Sequence, residues 1–129
     1  MMTRQNGFSL IELMATVAIL GVIAAIAYPQ LAGKMTKSRR EDAQVALVNM
    51  GVAQEKFYLQ NNTYTTNVAN LGGGGTEKNW YVLSVSSANA SSFTLTATAQ
   101  AGQAQSTDTP CLTITLTSAG QKAPSACWQ

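Results

Sequence analysis

The sequence has no histidine, only two cysteines and only three prolines in 129 residues. Without imidazole there is no His-based acid–base catalysis, no Ser-His or Cys-His nucleophile and none of the usual nitrogen metal ligands. Two cysteines, Cys111 and Cys127, fall short of a structural zinc site, which takes about four ligands. Acidic residues are also sparse: beyond residue 60 there are only Glu77 and Asp108. That excludes a carboxylate acid–base pair in the second half and leaves no obvious calcium site. The expectation is therefore no enzyme, no metal and no cofactor. Charge is low as well. The net value is +2, and from residue 61 onward Lys78 and Lys122 balance Glu77 and Asp108. A generic nucleic-acid binder needs a basic patch, and this half offers none.

What the chain does contain is uneven. Residues 8–28 are 21 positions with a single charge, Glu12. As a helix they measure about 31 Å, the thickness of a bilayer core. The run is apolar all round, so it needs lipid or other helices on every side. It is too long for the apolar stretch of a secretory signal, and no small-residue cleavage site follows it. A short polar leader ending in Gly7 precedes it, so cleavage is expected before the run. Export makes an even cysteine count read as a disulfide in an oxidising compartment. One signal opposes this topology. Arg4 stands alone before the span, whereas Lys34, Lys37, Arg39 and Arg40 follow it, which by the positive-inside rule favours a cytoplasmic C-terminal part. The cysteines and the Thr-rich second half argue for the opposite side.

Glu12 stands about 7 Å inside this apolar helix, where a carboxylate costs up to about 3 kcal/mol at a helix centre and less near an end. Two readings are open on spacing alone. Ser9-Leu-Ile-Glu12 has capping-box spacing, so the carboxylate can serve its own helix terminus. Alternatively it meets a positive group from another chain, for which a new amine on Phe8 serves.

The segment Gly7-Phe8-Ser9-Leu10-Ile11-Glu12-Leu13-Met14, with Gly21 and Tyr28-Pro29 behind it, resembles the prepilin signature of type IV pilins over residues 7–33. Secretion pseudopilins share this segment. The resemblance implies that a prepilin peptidase cuts between Gly7 and Phe8 and methylates Phe8. It implies that Glu12 neutralises the Phe8 amine of a neighbouring subunit during assembly, and that the helix loosens or bends between Gly21 and Pro29 in the filament. Independently of any family, Pro29 lacks an N–H and is expected to kink or interrupt the helix.

From Gln30 to Gln60 no proline recurs. Val45, Val48, Val52 and Leu59 form a stripe widened by Leu47, Met50, Phe57 and Tyr58, which predicts an amphipathic helix with that stripe packed on a sheet. Lys34 to Arg40 reads as a solvated or headgroup-contacting face. The helix is expected to end at Gln60-Asn61-Asn62. Leu71 to Gly75 reads as a flexible linker, because it lacks the Lys-Ser/Thr of a phosphate loop. Residues 80–86, 93–99 and 111–117 alternate apolar residues with Thr, Ser or Val and predict an antiparallel sheet with one wet face. A fourth strand near the end has slight support.

The fold class is therefore α+β: a long N-terminal helix packed on a small antiparallel sheet of three to four strands, closed by a C-terminal disulfide loop from Cys111 to Cys127. The expected organisation is a leader over 1–7, a membrane and filament-core half-helix over 8–29, an amphipathic half-helix over 30–60 and a β head over 61–129. The runs Glu55-Lys-Phe-Tyr58, Asn62-Thr-Tyr64, Phe93-Thr-Leu-Thr-Ala97, Asp108-Thr-Pro-Cys111, Gly120-Gln-Lys122 and Cys127-Trp128 resemble the PilE-type minor pilins of the type IVa system. The same group includes pilins that recognise DNA in natural transformation. In that family the two cysteines bound the D-region, here 111–127. The resemblance implies a structural and minor pilus subunit that supports pilus biogenesis, twitching motility, adhesion or DNA uptake. Its partners would be other pilin subunits, the prepilin peptidase and the inner-membrane assembly machinery. It would sit in the inner membrane with its head in the periplasm, then in a fibre on the cell surface. The alternatives are a DNA-binding minor pilin, a major pilin and a type II secretion pseudopilin. Nucleic acid is a partner class that the near-neutral head does not favour.

Overall fold

A computed structural model describes residues 7–129; residues 1–6 of the expected leader lie outside the described residues. One helix, α1 (Leu10–Asn61), is followed by four strands: β1 (Tyr81–Ala88), β2 (Phe93–Ala99), β3 (Thr113–Thr117) and β4 (Lys122–Ala123). The chain divides into two compact units, Met1–Met35 and Thr36–Gln129.

In the first unit every described residue, 7–35, is exposed. The helix contains an 18-residue window of mean hydropathy 2.5 with none of it buried, so by length and composition it can cross a membrane. The helix runs through Gly21 and through Pro29 without interruption. Proline removes one rung of the ladder, from position 29 to the carbonyl of Ala25, and the turns on either side continue the helix. In the single chain Pro29 is thus an interior helical residue.

In the second unit the strands form one antiparallel sheet in the order β1-β2-β3-β4. The expected strands occupy the expected stretches with shifted ends. The first extends to Ala88 with a register shift between Val85 and Ser87, and the third begins at Thr113 because Thr109–Cys111 folds as a 3-10 turn. Pairing places Leu83 opposite Ala97 and Ala97 opposite Ile114, and it places Val85 opposite Leu95 and Leu95 opposite Leu116. Period-two alternation thereby lines up apolar rows on one face and leaves threonines on the other.

The helix meets this sheet with only part of the apolar surface read from the sequence: Leu47 and Met50 face the core, and the valine stripe does not. Its buried residues are Ala43, Leu47, Met50 and Gln54. The expected stripe points away: Val45, Val48, Val52 and Leu59 are 61%, 46%, 51% and 82% exposed. At 100° per residue the two sets lie about 160° apart around the helix. The core-facing stripe contains one small and one polar residue, so its apolar content is lower than that of the opposite face. Gln54 is buried because Thr65 satisfies it. Its Nε2 donates to the Thr65 carbonyl at 2.7 Å, and its Oε1 accepts from the Thr65 amide at 3.0 Å. That pair pins the chain after the helix end, where Asn62 takes φ 55° and its amide donates to the Tyr58 carbonyl at 2.8 Å.

The glycine run is ordered rather than a free linker. Gly72, at φ 94°, caps a 3-10 turn over Val68–Leu71, a conformation that suits a residue without Cβ. Gly74 accepts from the Leu83 amide at 2.7 Å, and a Cβ at Gly74 would stand 2.8 Å from the Leu83 carbonyl oxygen. Main-chain pairing with β1 has taken up what composition alone marks as flexible.

Cys111 and Cys127 form a disulfide with their Cα atoms 5.7 Å apart, and both residues are 1% exposed. The bridge joins the turn before β3 to the C-terminal turn Ser125–Trp128. Replacing both cysteines by serine is expected to lower the unfolding free energy by about 3 kcal/mol, the loop-closure value for about 15 residues. Urea unfolding of the oxidised wild type against the double variant measures this. A loss under about 1 kcal/mol would mean that the core holds the terminus without the bridge.

Candidate functional site

Three features stand out from the packed core: the N-terminal helix segment, a polar network under the disulfide, and two cation–aromatic pairs on the surface.

The first is the segment expected to carry processing and assembly. Gly7, Phe8 and Glu12 are all exposed, Phe8 by 85%. The helix begins at Leu10, and the Leu13 amide donates to the Ser9 carbonyl at 3.1 Å, so Ser9 opens the first turn. Glu12 lies in that turn, where a negative charge faces the positive end of the helix dipole. The Thr16 hydroxyl donates to the Glu12 carbonyl at 2.7 Å, a bond that satisfies a polar group inside an apolar helix. A carboxylate on an exposed, apolar helical rod has one chemical use beyond its own turn: it can meet a cationic group of whatever covers the rod.

The second feature was missed in the sequence. Arg40 donates from Nε to Asp108 Oδ2 and from Nη2 to Asp108 Oδ1, both at 2.6 Å, in a bidentate pair. The Asp108 side chain is 5% exposed and that of Arg40 is 23% exposed. Gln105, fully buried, donates from Nε2 to Asp108 Oδ2 at 2.8 Å and to the Tyr81 hydroxyl at 3.0 Å. The Tyr81 hydroxyl in turn donates to the Cys111 carbonyl at 3.1 Å. The hydrogen bond to Asp108 raises the Arg40 pKa above its ordinary value, with desolvation opposing. Desolvation by burial is the main cause that raises Tyr81, which is therefore held as the neutral phenol. Both carboxylate oxygens are occupied, so this network is a clamp from α1 through the loop before β3 to the disulfide, without a free acid or base. The only sequence signal for it was a lone aspartate in a half nearly free of charge.

The third feature concerns the two tryptophans of the chain, Trp80 and Trp128. Arg39 sits over the Trp80 ring at 4.2 Å and Lys122 over the Trp128 ring at 5.0 Å. Lys78 makes no such pair among the described residues. No group of three or more potential metal-ligating side chains occurs among the described residues.

Comparison with known proteins agrees with this arrangement. The family model described as type IV minor pilin ComP, DNA uptake sequence receptor, matches residues 29–115. The prokaryotic N-terminal methylation motif matches residues 2–28. The type IV major pilin protein PilA of Myxococcus xanthus is 35% identical over 85 residues, which is 66% of this chain and 39% of that protein. The type II secretion system core protein G of Pectobacterium carotovorum is 39% identical over 61 residues, covering 47% of this chain and 39% of that one. The chain thus spans about two fifths of the length of these curated relatives. Among solved structures, a type IV pilin from Shewanella oneidensis superposes with a TM-score of 0.53 at 26% identity, covering 73% of this chain and 98% of that one.

Proposed function

The chain belongs to the type IV pilin family, and on that premise we propose that it is a structural, minor subunit of a type IV pilus. The observation that carries the reading is the exposed apolar helix: residues 7–35 are all exposed, and a run of that hydropathy is stable only in lipid or among similar helices. Before assembly it lies in the inner membrane with the head in the periplasm. Prepilin peptidase cuts between Gly7 and Phe8 and methylates Phe8. In the fibre the Glu12 carboxylate compensates the Phe8 amine of a neighbouring subunit, and the helix loosens between Gly21 and Pro29 as subunits pack. The head contributes shape and surface, not catalysis. Its disulfide and the Arg40–Asp108 clamp suit a part held outside the cell, where no repair follows unfolding.

A second reading, a receptor for DNA, is supported by the description of the matching family and by the two cation–aromatic pairs. It requires duplex DNA to be retained with a steep salt dependence, and the formally neutral stretch from residue 61 offers few phosphate contacts.

Quantitative mass spectrometry of sheared, purified pili tests the main reading. The expected result is an N-terminal peptide that begins at methylated Phe8, at a small fraction of the main subunit's abundance. A ratio near one makes this the major subunit. Absence from the fibre, with the protein left in the membrane, overturns the pilus reading in favour of a secretion pseudopilin.

A further inference from the structure

Past β3 the chain turns at Gly120, at φ 78°, into a segment held to the head at few points. Residues 118–126 are all exposed, and of residues 118–129 only Cys127 is buried. β4 meets β3 in two residue pairs, Thr115 with Ala123 and Leu116 with Lys122, and the Thr117 amide donates to the Gln121 carbonyl at 3.0 Å. Lys122 lies over the Trp128 ring, so that contact ties the segment to itself. From α1, Gln44 donates from Nε2 to the Cys127 carbonyl at 2.7 Å. Beside that bond a cleft of about 260 Å3 lies between Gln44, Val48 and Asn49 on the helix and Lys122 and Trp128 on the segment. Cys111 is held differently. Its carbonyl accepts from the Tyr81 hydroxyl at 3.1 Å, and its amide donates to the carbonyl of Asp108, the residue clamped by Arg40, at 2.9 Å. One cysteine thus belongs to the packed head and the other to a loosely held strap.

We infer that residues 121–128 form a redox-releasable strap latched by Gln44, and that the disulfide exchanges with an external dithiol at Cys127 when this strap opens, while α1 and the sheet stay folded. Both cysteines are 1% exposed, so a reductant reaches neither sulfur in the closed form. Segments open locally at least cost where few buried apolar contacts and mostly exposed backbone bonds hold them. Opening here breaks the Gln44 bond and the bonds at the β3 edge, and Cys127 is the one buried core residue that it moves. The reductant's thiolate then bonds to Cys127 Sγ, and the electron pair of the S–S bond leaves with Cys111 Sγ, which takes up a proton. The reductant's second thiol displaces Cys127 as a thiolate, which is protonated in turn. The protein disulfide gains two electrons and two protons, and the reductant becomes a disulfide. Formation of the bond is the reverse, with an oxidised dithiol carrier as the acceptor. Cys111 is the leaving sulfur because its backbone bonds keep it inside the head. Without the covalent tie the strap depends on Gln44 and the short pairing with β3. Its open form uncovers the edge of β3 and the α1 surface at Gln44, Val48 and Asn49. The redox state thereby sets which surface the head presents.

Reduction of the oxidised full chain in detergent by excess dithiothreitol, with released thiols alkylated and read by mass spectrometry, tests this. The expected rate changes little with urea below the unfolding transition, because local opening exposes little surface. Gln44→Ala is expected to speed reduction about fivefold, the factor for one hydrogen bond lost from the closed form. Leu47→Ala lowers global stability through the core and should leave the reduction rate unchanged. Glutathione used in place of dithiothreitol, with acid quenching, is expected to be found linked to Cys127. The proposal is overturned if Leu47→Ala speeds reduction in proportion to its loss of stability, or if Gln44→Ala leaves the rate unchanged. It is equally overturned if reduction accelerates with urea as steeply as unfolding does, or if the glutathione adduct sits on Cys111.

Discussion

Replacing Arg40 by alanine is expected to destabilise the head by about 3 kcal/mol, the lower end of the range for removing one partner of a buried ion pair. The lower end applies because Arg40 is 23% exposed while Asp108 is 5% exposed. The substitution strands the aspartate, not the arginine: a carboxylate that accepted two bonds from the guanidinium keeps only Gln105 Nε2. Asp108→Asn is the companion. It keeps the shape and removes the charge, so it should cost less than Arg40→Ala. The double variant should then be more stable than the sum of the two losses predicts, with a coupling of about 2 kcal/mol. Urea unfolding of the full chain in detergent, followed by Trp fluorescence, measures all three. Additive losses would show that the two side chains do not act as a pair. A loss under about 1 kcal/mol for Arg40→Ala would mean that solvent screens the contact as it does at open surfaces.

This clamp also marks a limit of what sequence patterning reveals. Arg40 and Asp108 are separated by 68 positions, and no local periodicity relates them. Their neighbours suggested other roles, a basic cluster beside a membrane for Arg40 and simple charge balance for Asp108. Features that did show are those fixed by local physics. A 21-residue run with one charge has few ways to be stable in water, so its exposure in the single chain needed no tertiary information. Thr alternating with Leu, Ala, Ile or Phe states which side of β2 and β3 is buried, because the strand period is two. The disulfide was legible from an even cysteine count taken together with the signs of export, and the structure forms it. By contrast β4, only Lys122–Ala123, is defined by its partner β3 and not by its own composition. The glycine run was legible as lacking side chains, but its order comes from main-chain bonds, the Leu83 amide to the Gly74 carbonyl and the Gly73 amide to the Val68 carbonyl.

The helix faces give the sharpest contrast, and adjacent residues test them. Leu47→Ala is expected to cost about 3 kcal/mol, since Leu47 is fully buried and its removal leaves a cavity under the sheet. Val48→Ala is expected to change stability by less than about 0.5 kcal/mol, because Val48 is 46% exposed and alanine is the better helix former. Read from composition, the two should behave alike, because both belong to the apolar surface of one amphipathic helix. Their positions differ by about 100° around the axis, and that rotation separates core from surface. Chemical unfolding of the two single variants decides the matter. Equal losses would place both faces in the core and contradict the observed packing. The expected inequality would show that the valines contribute nothing to the isolated fold. On the proposed subunit reading the valine face meets a neighbour in the fibre, and Val48→Asp is then expected to lower incorporation into fibres while leaving the stability of the single chain nearly unchanged.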